Sequence, residues 1–310
     1  MTEGELIVKL AKLMPRTDLQ ENELFESDSE ILNFASKKML FTTDEFSGED
    51  MFSEKDPYIL GHNIAVGAIS DIYASGGVPM FYAHSLTVNE LFNENFLVKF
   101  YKGVSDILKT AGVGFIGGDF GRAGEWRCCT SVIGVSEMPI LRSGAKAGDS
   151  IYITGKVGSG NLQAAAKIYN IDTVKIKFSL RKDEAELIRQ HATSCIDTSD
   201  GVFNAVNTIS NMSSTGFELF NIPYIKAGTM MAKLLGLPKE MLFLCECGEY
   251  ELLFTSAPDV DLPFYKIGRI TESGKLLNNK DISKINISAR EFKEMSGYMK
   301  VVKKLCEELL

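Results

Sequence analysis

The alternation of apolar and polar segments along this 310-residue chain predicts a mixed protein of helices and strands. Apolar residues at helical spacing, beginning with Leu6, Ile7 and Leu10, predict a short first helix over residues 4–14. A strand over residues 38–44 and a helix from about Tyr58 to Gly76 follow. Further runs of strand length then alternate with a long helical stretch, as in MFYAHSLTV, ENFLVKFYKGVSDILKTAG, VGFIGGD and WRCCTSVIGVS. We expect the long strands of this first half to form a curved sheet.

The polar, turn-rich segment LRSGAKAGD (residues 141–149) is the best candidate for a domain boundary. It predicts an N-terminal domain over residues 1–140 and a C-terminal domain over residues 141–310. A new alternation follows the boundary. Its predicted strands are SIYITG, SCIDTS, GFELF, ELLFTS and FYKIGRI. Its predicted helices begin at Ser159, cover residues 181–191 and 202–212, include a helical region over 226–241, and end with a helix from about Ala289.

The composition is that of an ordinary globular protein, with 45% hydrophobic and 24% charged residues. A net charge of −8 argues against nucleic acid as a main partner. No apolar run approaches the roughly 18 residues of a membrane span, and the acidic start MTEGELIVKLAKLM is unlike a signal peptide. The six cysteines match no zinc spacing. We therefore expect a cytoplasmic protein that binds neither nucleic acid nor membrane.

Five aspartates stand where apolar segments end, and this placement is the main chemical signal of the chain. A carboxylate at the end of a buried strand has lost water and needs a partner, and clustered carboxylates repel one another unless a cation joins them. Oxygen ligands suit magnesium, which usually also engages substrate phosphates. The sequence thus predicts a magnesium site for an ATP-handling enzyme, built from Asp44, Asp71, Asp119, Asp197 and Asp200.

Each of these positions also has an ordinary structural interpretation. Aspartate is common in turns, and Ser199-Asp200-Gly201 precedes a helix, where it would serve as an N-cap. Asp71 lies near the end of a helix, where the dipole disfavours a negative charge unless a cation is near; its ordinary interpretation is a side chain that reaches solvent. Arg142 is either a phosphate clamp or a solvent-facing turn residue, and Tyr101 either stacks on a base or belongs to the core.

In order and spacing, the segments FTTD, SDIYASGG, GGD, RSGAKAGDSIYITG, IDTSDGV and GEYELLF resemble the thiamine-monophosphate kinase family. That family belongs to the superfamily of aminoimidazole ribonucleotide synthetase and selenophosphate synthetase. The resemblance implies an α+β fold with two domains like those of aminoimidazole ribonucleotide synthetase. An N-terminal curved-sheet domain would pair with its copy in a homodimer and bind ATP and metal, and a C-terminal α/β domain would complete the site.

The resemblance also implies roles for individual residues. The magnesium ligands would be Asp28, Thr43, Asp44, Asp71, Asp119, Asp197 and Asp200. The ATP contacts would be Tyr101, Gly118, Asp119, Arg142 and Ser199, with Asp200 and Arg142 as the catalytic pair. The acceptor would be contacted by residues at the positions of Met51, Glu249 and Tyr298.

The acceptor side departs from the family pattern. Met51 stands where the family has a histidine near the thiamine phosphate. The family's glutamate in Gly-Gly-Glu-Asp-Tyr-Glu-Leu is either lost to Gly248 or supplied, with a gap, by Glu249. Tyr298 keeps the late aromatic residue. The nucleotide half of the site is therefore expected to be intact and the acceptor half altered.

The leading hypothesis is a magnesium-dependent ATP phosphotransferase that acts on a small phosphorylated acceptor. A second hypothesis is another ATP-driven reaction of the superfamily. Selenophosphate synthesis is disfavoured because the first cysteine is Cys128, while a cyclo-ligase-like reaction stays open. The third is a nucleotide-binding regulator without catalysis, and release of ADP with candidate acceptors would separate it from the other two.

Overall fold

The computed structural model describes residues 3–15, 17–34, 37–52, 55–90, 92–171 and 174–309, and it confirms the α+β fold. The helices of this part of the chain are α1 (Glu3–Ala11), α2 (Pro57–Ala74), α3 (Glu94–Ala111), α4 (Ser159–Ile168), α5 (Lys182–His191), α6 (Val202–Met212), α7 (Lys226–Leu234), α8 (Met241–Leu244) and α9 (Met295–Leu309). The strands are β1 (Glu30–Phe34), β2 (Lys37–Ser47), β3 (Val78–Val88), β4 (Gly114–Arg122), β5 (Arg127–Ser136), β6 (Ser150–Ile153), β7 (Ala192–Asp197), β8 (Gly216–Leu219), β9 (Leu252–Ser256), β10 (Tyr265–Thr271), β11 (Lys275–Leu277) and β12 (Lys280–Asp281).

The strands form two sheets. The first has the order β1-β2-β5-β3-β4, and its pairs are antiparallel except for β3 with β4. The second has the order β12-β11-β8-β10-β6-β9-β7 and is antiparallel except for β11 with β8. The first half of the chain builds one sheet and the second half builds the other.

Helix α2 lies between the two sheets and positions the site. It begins at Pro57, where the Asp56 side chain accepts a hydrogen bond from the Ile59 amide (3.3 Å), and it ends before Gly76, whose φ is +70°. Its residues are apolar on nearly every side, which is typical of a helix buried all round. It packs against β2 and β5 of the first sheet and against β7 and β9 of the second.

Two glycines bring α2 close to α3. A Cβ atom on Gly61 would lie 2.1 Å from the carbonyl oxygen of Phe100, and one on Gly103 would lie 2.1 Å from that of Tyr58. Neither backbone oxygen can move away without disturbing its helix. The close approach of the two helices therefore requires glycine at both positions.

The core forms two apolar clusters. The first joins α2, α3 and the first sheet to side chains from the second half, among them Tyr152, Phe178 and Phe254. The second cluster contains apolar residues of α6, α8 and α9 and of the seven-stranded sheet. The predicted boundary segment 141–149 contains neither helix nor strand, and the division into domains at residue 141 stays a prediction.

Several element boundaries differ from the expectation. Strands β1, β11 and β12 were not predicted, because each is only two to five residues long. The last helix begins at Met295 rather than near Ala289, since residues 289–291 form a 3-10 turn and Phe292 is extended. The strands around Asp44 and Asp119 continue for three residues beyond each aspartate. None of the helices in the described ranges combines the length and apolarity needed to cross a bilayer.

Candidate functional site

Four predicted ligands meet where α2 touches both sheets. Asp44 lies on the same face of β2 as Leu40 and Phe46, which faces the core, because side chains alternate along a strand. Asp71 comes from the last turn of α2 and Asp197 from the end of β7. One carboxylate oxygen from each of Asp28, Asp71 and Asp197 lies within 4.8 Å of the other two, and Asp44 lines the same cavity as Asp28 and Asp71. We call Asp28, Asp44, Asp71 and Asp197 the carboxylate cluster.

Burial and mutual repulsion disfavour the charged form of this cluster. Burial raises the pKa of Asp44 to about 7, and the charges of Asp197 and Asp28 add to the effect. Burial also raises the pKa of Asp71 well above its usual value, with the carboxylates of Asp44, Asp197 and Asp28 contributing. The pKa of Asp197 is raised by burial as well. Four such groups are stable in their charged form only with a compensating cation.

Arg142 compensates one carboxylate of the cluster. Its Nε donates a 2.9 Å hydrogen bond to Oδ1 of Asp28, and a terminal guanidinium nitrogen donates to the same oxygen. Burial still raises the pKa of Asp28 to about 7, although Arg142 acts in the opposite direction. The second oxygen, Oδ2, is buried and has no hydrogen-bond partner among the described residues.

The donor set fits a divalent cation such as magnesium. It consists of carboxylate oxygens, which are the ligands that magnesium prefers, and the unpartnered Asp28 Oδ2 is the kind of atom that such an ion satisfies. Thr43 lines the same cavity, but its hydroxyl donates to the Thr130 carbonyl (2.8 Å). The neighbouring Thr42 instead donates to Asp71 (2.5 Å), a contact that strand alternation permits and that our sequence analysis missed.

Ser199 connects the carboxylate cluster to a second cavity. Its hydroxyl donates to Oδ1 of Asp197 (2.7 Å), and its backbone amide donates to the same oxygen (3.2 Å). The residue lines both the cavity of the carboxylate cluster and a neighbouring cavity of about 210 Å³. We call this neighbour the acceptor cavity; its lining includes Glu49, Asp50, Met51, Phe178, Ser199, Asp200, Glu246, Gly248, Tyr250, Arg290, Met295 and Tyr298.

The structure brings three predicted residues together in the acceptor cavity. Met51 and Tyr298, from distant parts of the sequence, both line it. Asp200 lines it too, so this predicted metal ligand lies on the acceptor side, where its carboxylate is 3.7 Å from the Arg290 guanidinium. The Asp200 side chain is 71% exposed, in contrast to the buried cluster.

Glu249 does not line the acceptor cavity. Its Oε2 accepts hydrogen bonds from the amides of Gly158 (2.7 Å) and Ser159 (2.6 Å) and from the Ser159 hydroxyl (3.0 Å). The carboxylate therefore lies at the amino end of α4, an environment that favours negative charge, while burial raises its pKa to about 7. Gly248 rather than Glu249 lines the acceptor cavity.

The predicted base-side contacts of ATP form a separate group around His84. The Tyr101 hydroxyl lies 3.0 Å from Nε2 of His84, and a Cβ atom on Gly118 would lie 1.8 Å from the His84 carbonyl oxygen. Gly118 is therefore required by the close pairing of β3 and β4, whatever it does with phosphate. Asp119, the next residue, is exposed on β4 and lies opposite Ser85 in the register of β3 and β4. It does not join the carboxylate cluster. A lone histidine gives no sequence signal, and His84 was not among the predicted site residues.

The chain is similar to known proteins over most of its length. Residues 26–136 match the family model described as AIR synthase related protein, N-terminal domain. Thiamine-monophosphate kinase of Buchnera aphidicola is 30% identical over 82% of this chain and 83% of its own length. The Escherichia coli K12 enzyme of the same name is 30% identical over 79% of this chain and 82% of its own length.

Solved structures show the same fold. AaThiL complexed with AMPPCP and TMP superposes with a TM-score of 0.81 at 22% identity, covering 91% of this chain and 97% of that one. The Escherichia coli hydrogenase maturation protein HypE superposes with a TM-score of 0.63 at 17% identity, covering 77% and 82%. With the extent of the two sequence matches, these findings show that the chain belongs to the thiamine-monophosphate kinase family, a family of ATP-dependent kinases.

Proposed function

We propose that this protein is a magnesium-dependent phosphotransferase that moves the terminal phosphoryl group of ATP to a small phosphorylated acceptor. The observation that carries the proposal is the position of Ser199, which lines both the cavity of the carboxylate cluster and the acceptor cavity. A phosphoryl group held by magnesium near Asp197 would be adjacent to a molecule in the acceptor cavity. Phosphoryl transfer depends mainly on such positioning and on neutralisation of charge.

The carboxylate cluster would hold magnesium through Asp28, Asp44, Asp71 and Asp197. Asp119 would be a further ligand on the nucleotide side, and Asp200 on the acceptor side. Bound there, the metal would supply positive charge for the phosphate oxygens. Arg142 would hold Asp28 in place and present its guanidinium toward the triphosphate. Asp200 would lie beside the acceptor, and Tyr101 would stack on the base, with His84 fixing its hydroxyl.

The charges of the acceptor cavity favour an acceptor with a cationic part. Glu49, Asp50, Asp200 and Glu246 line the cavity, against the single described cation Arg290. A phosphate ester alone would be repelled, whereas a phosphate ester that also carries a cationic ring would be neutralised in part. Thiamine monophosphate, the substrate named by the relatives, has such a ring and is the first acceptor to test.

A homodimer is part of the proposal. Apolar side chains of β3 and the edge strand β4 are exposed, including Phe81, Phe115, Ile116 and Phe120. A sheet edge with exposed apolar side chains is an association site unless something covers it. A second copy of the N-terminal sheet would cover it.

The proposal is tested by release of ADP from ATP and magnesium, with and without thiamine monophosphate, together with direct detection of thiamine diphosphate. Acceptor-dependent ADP release with any small phosphate ester supports it. ATP binding without acceptor-dependent release across a panel of phosphate esters would favour the non-catalytic regulator. Formation of a product other than a phosphorylated acceptor would favour another reaction of the superfamily.

A further inference from the structure

A third cavity adjoins the acceptor cavity and lies among α4, α7, α8 and α9. Its volume is about 60 Å³, several times the roughly 10–15 Å³ that a single water molecule needs. We call it the apolar cavity because its lining is mainly aliphatic and sulfur-containing, including Leu162, Ile168, Met231, Met241, Leu242 and Met299. Cys247, Met295 and Tyr298 line both cavities, so these side chains form the shared wall.

The polar groups of the apolar cavity differ in how far they are satisfied. The Asn161 amide donates to the carbonyl oxygens of Leu242 (3.0 Å) and Cys245 (2.9 Å) and accepts from the Cys247 amide (3.2 Å), so it is fully engaged. The Tyr298 side chain is 2% exposed, and its hydroxyl makes no hydrogen bond to an oxygen or nitrogen atom of the described residues. The polar group beside it is the Cys245 thiol, which is a weak partner.

Tyr298 belongs to the shared wall, and its unsatisfied hydroxyl lies beside Cys245, which lines the apolar cavity. Burying a hydroxyl without a strong partner costs free energy, which a ligand atom that hydrogen-bonds to it would recover. The methionines around the cavity can change rotamer at little cost and so adapt its size. A ligand that extends from the acceptor cavity past the shared wall would therefore meet the Tyr298 hydroxyl, which can hydrogen-bond to it. It would also reach the apolar cavity, whose size the methionines can adapt.

We propose that the apolar cavity is a subsite for a short apolar substituent of the acceptor. The phosphorylated end of the acceptor lies in the acceptor cavity, a polar atom next to it accepts a hydrogen bond from the Tyr298 hydroxyl, and the apolar arm extends between Cys247 and Met295 into the apolar cavity. This inference depends on the proposed function of the acceptor cavity, and it adds the class of acceptor: a phosphate ester with a small aliphatic arm. Each methylene that enters the cavity is removed from water, so the subsite selects among acceptors by the length of that arm.

Binding of phosphocholine analogues whose ammonium group carries one alkyl arm, from methyl to pentyl, measured by calorimetry with magnesium and ADP, tests the subsite with probes that have the cationic part favoured by the acceptor cavity. We expect affinity to rise about three- to fourfold for each added methylene until the cavity is filled. Ala165→Leu places a larger side chain in the apolar cavity without touching the acceptor cavity, and it should abolish the dependence on chain length. Ala227→Leu, a matched change at an exposed position of α7, should retain it.

A variant with a larger cavity gives an independent measurement. Met299→Ala enlarges the apolar cavity and should move the end of the affinity gain to a longer alkyl chain. Affinity that is independent of chain length, or binding too weak to measure at every length, would overturn the proposal. Turnover of thiamine monophosphate tests the proposed function separately, because the calorimetric series requires no phosphoryl transfer.

Discussion

The guanidinium of Arg142 binds only one of the two carboxylate oxygens of Asp28. Its Nε and one terminal nitrogen donate to Oδ1 and the other terminal nitrogen donates to the Phe25 carbonyl (3.3 Å), while the buried Oδ2 has no hydrogen-bond partner among the described residues. The carboxylate cluster therefore contains more negative charge than its own protein environment neutralises. Its stability should depend on a bound cation, and removal of one carboxylate should reveal that dependence.

Asp71→Asn should make the metal-free protein at least as stable as the wild type and should remove most of the stabilisation by magnesium. The Asp71 carboxylate is buried beside three others, and an amide of the same shape relieves their repulsion but binds magnesium poorly. Differential scanning calorimetry at pH 8, in EDTA and in magnesium, measures both effects. Asp259→Asn, at an exposed position, is the matched control and should respond to magnesium like the wild type. An equal magnesium shift in Asp71→Asn would show that the cluster does not hold the ion.

The sequence predicted the convergence of Asp44, Asp71 and Asp197 because each follows an apolar segment that must be buried. It did not predict where Asp119 and Asp200 point. The end of an apolar run does not fix the direction of a side chain when the strand continues beyond it, as β4 continues to Arg122. Glu249 is a similar case, since only the fold reveals that the amides of Gly158 and Ser159 lie within reach of its carboxylate.

Asp119→Asn and Asp200→Asn should each weaken the binding of magnesium-ATP without lowering the melting temperature. Both side chains are exposed, so their removal costs little folding free energy, while the charge they offer to a metal-bound triphosphate is lost. Calorimetric titration of ATP with and without magnesium is the measurement. ATP that binds the wild type equally well in EDTA would contradict both the metal requirement and these roles.

His84→Gln should make the protein less sensitive to acid. Burial lowers the pKa of His84 from 6.5 to about 4. Between these values the unfolded chain takes up a proton that the folded chain does not, so folding stability falls as the pH falls from 6.5 toward 4. The difference amounts to about 1–2 kcal/mol between pH 7.5 and pH 5.

Urea unfolding at pH 7.5 and pH 5 measures the His84 effect. His191→Gln, at a partly exposed position, is the control and should keep the acid sensitivity of the wild type. If His84→Gln loses as much stability at pH 5 as the wild type does, His84 is not the buried neutral group that holds Tyr101.

The protein should be a dimer, with a mass by light scattering of twice the 34.2 kDa of one chain. Ile116→Asp should shift it toward the monomer, because this side chain is 59% exposed on the apolar edge strand β4. A carboxylate there would have to be desolvated in an interface of more than about 2,000 Å². Leu234→Asp, at an 80% exposed position on α7, should leave the mass unchanged. A wild type that is monomeric at micromolar concentration would exclude this interface.

Thiamine monophosphate should be a poor substrate of the wild type, and Met51→His should improve it. Met51 lines the acceptor cavity and stands where the family has a histidine near the thiamine phosphate; its thioether is at best a weak hydrogen-bond acceptor, whereas an imidazole can donate. A charge-assisted hydrogen bond of this kind contributes roughly 1.5–3 kcal/mol, so kcat/KM should rise about ten- to a hundredfold. Met51→Leu, which keeps the apolar volume, should stay as slow as the wild type.

The outcome of this series also decides between acceptors. Turnover of thiamine monophosphate by the wild type at about 1 s⁻¹ or faster would show that Met51 and the engaged carboxylate of Glu249 do not limit the reaction. The protein would then be an ordinary kinase of its family that binds the acceptor phosphate by other groups. If neither the wild type nor Met51→His phosphorylates thiamine monophosphate, the altered acceptor half has a different partner. The acidic lining around Asp200 and the apolar cavity behind Tyr298 then define what to test next: phosphate esters with a cationic ring and a short aliphatic arm.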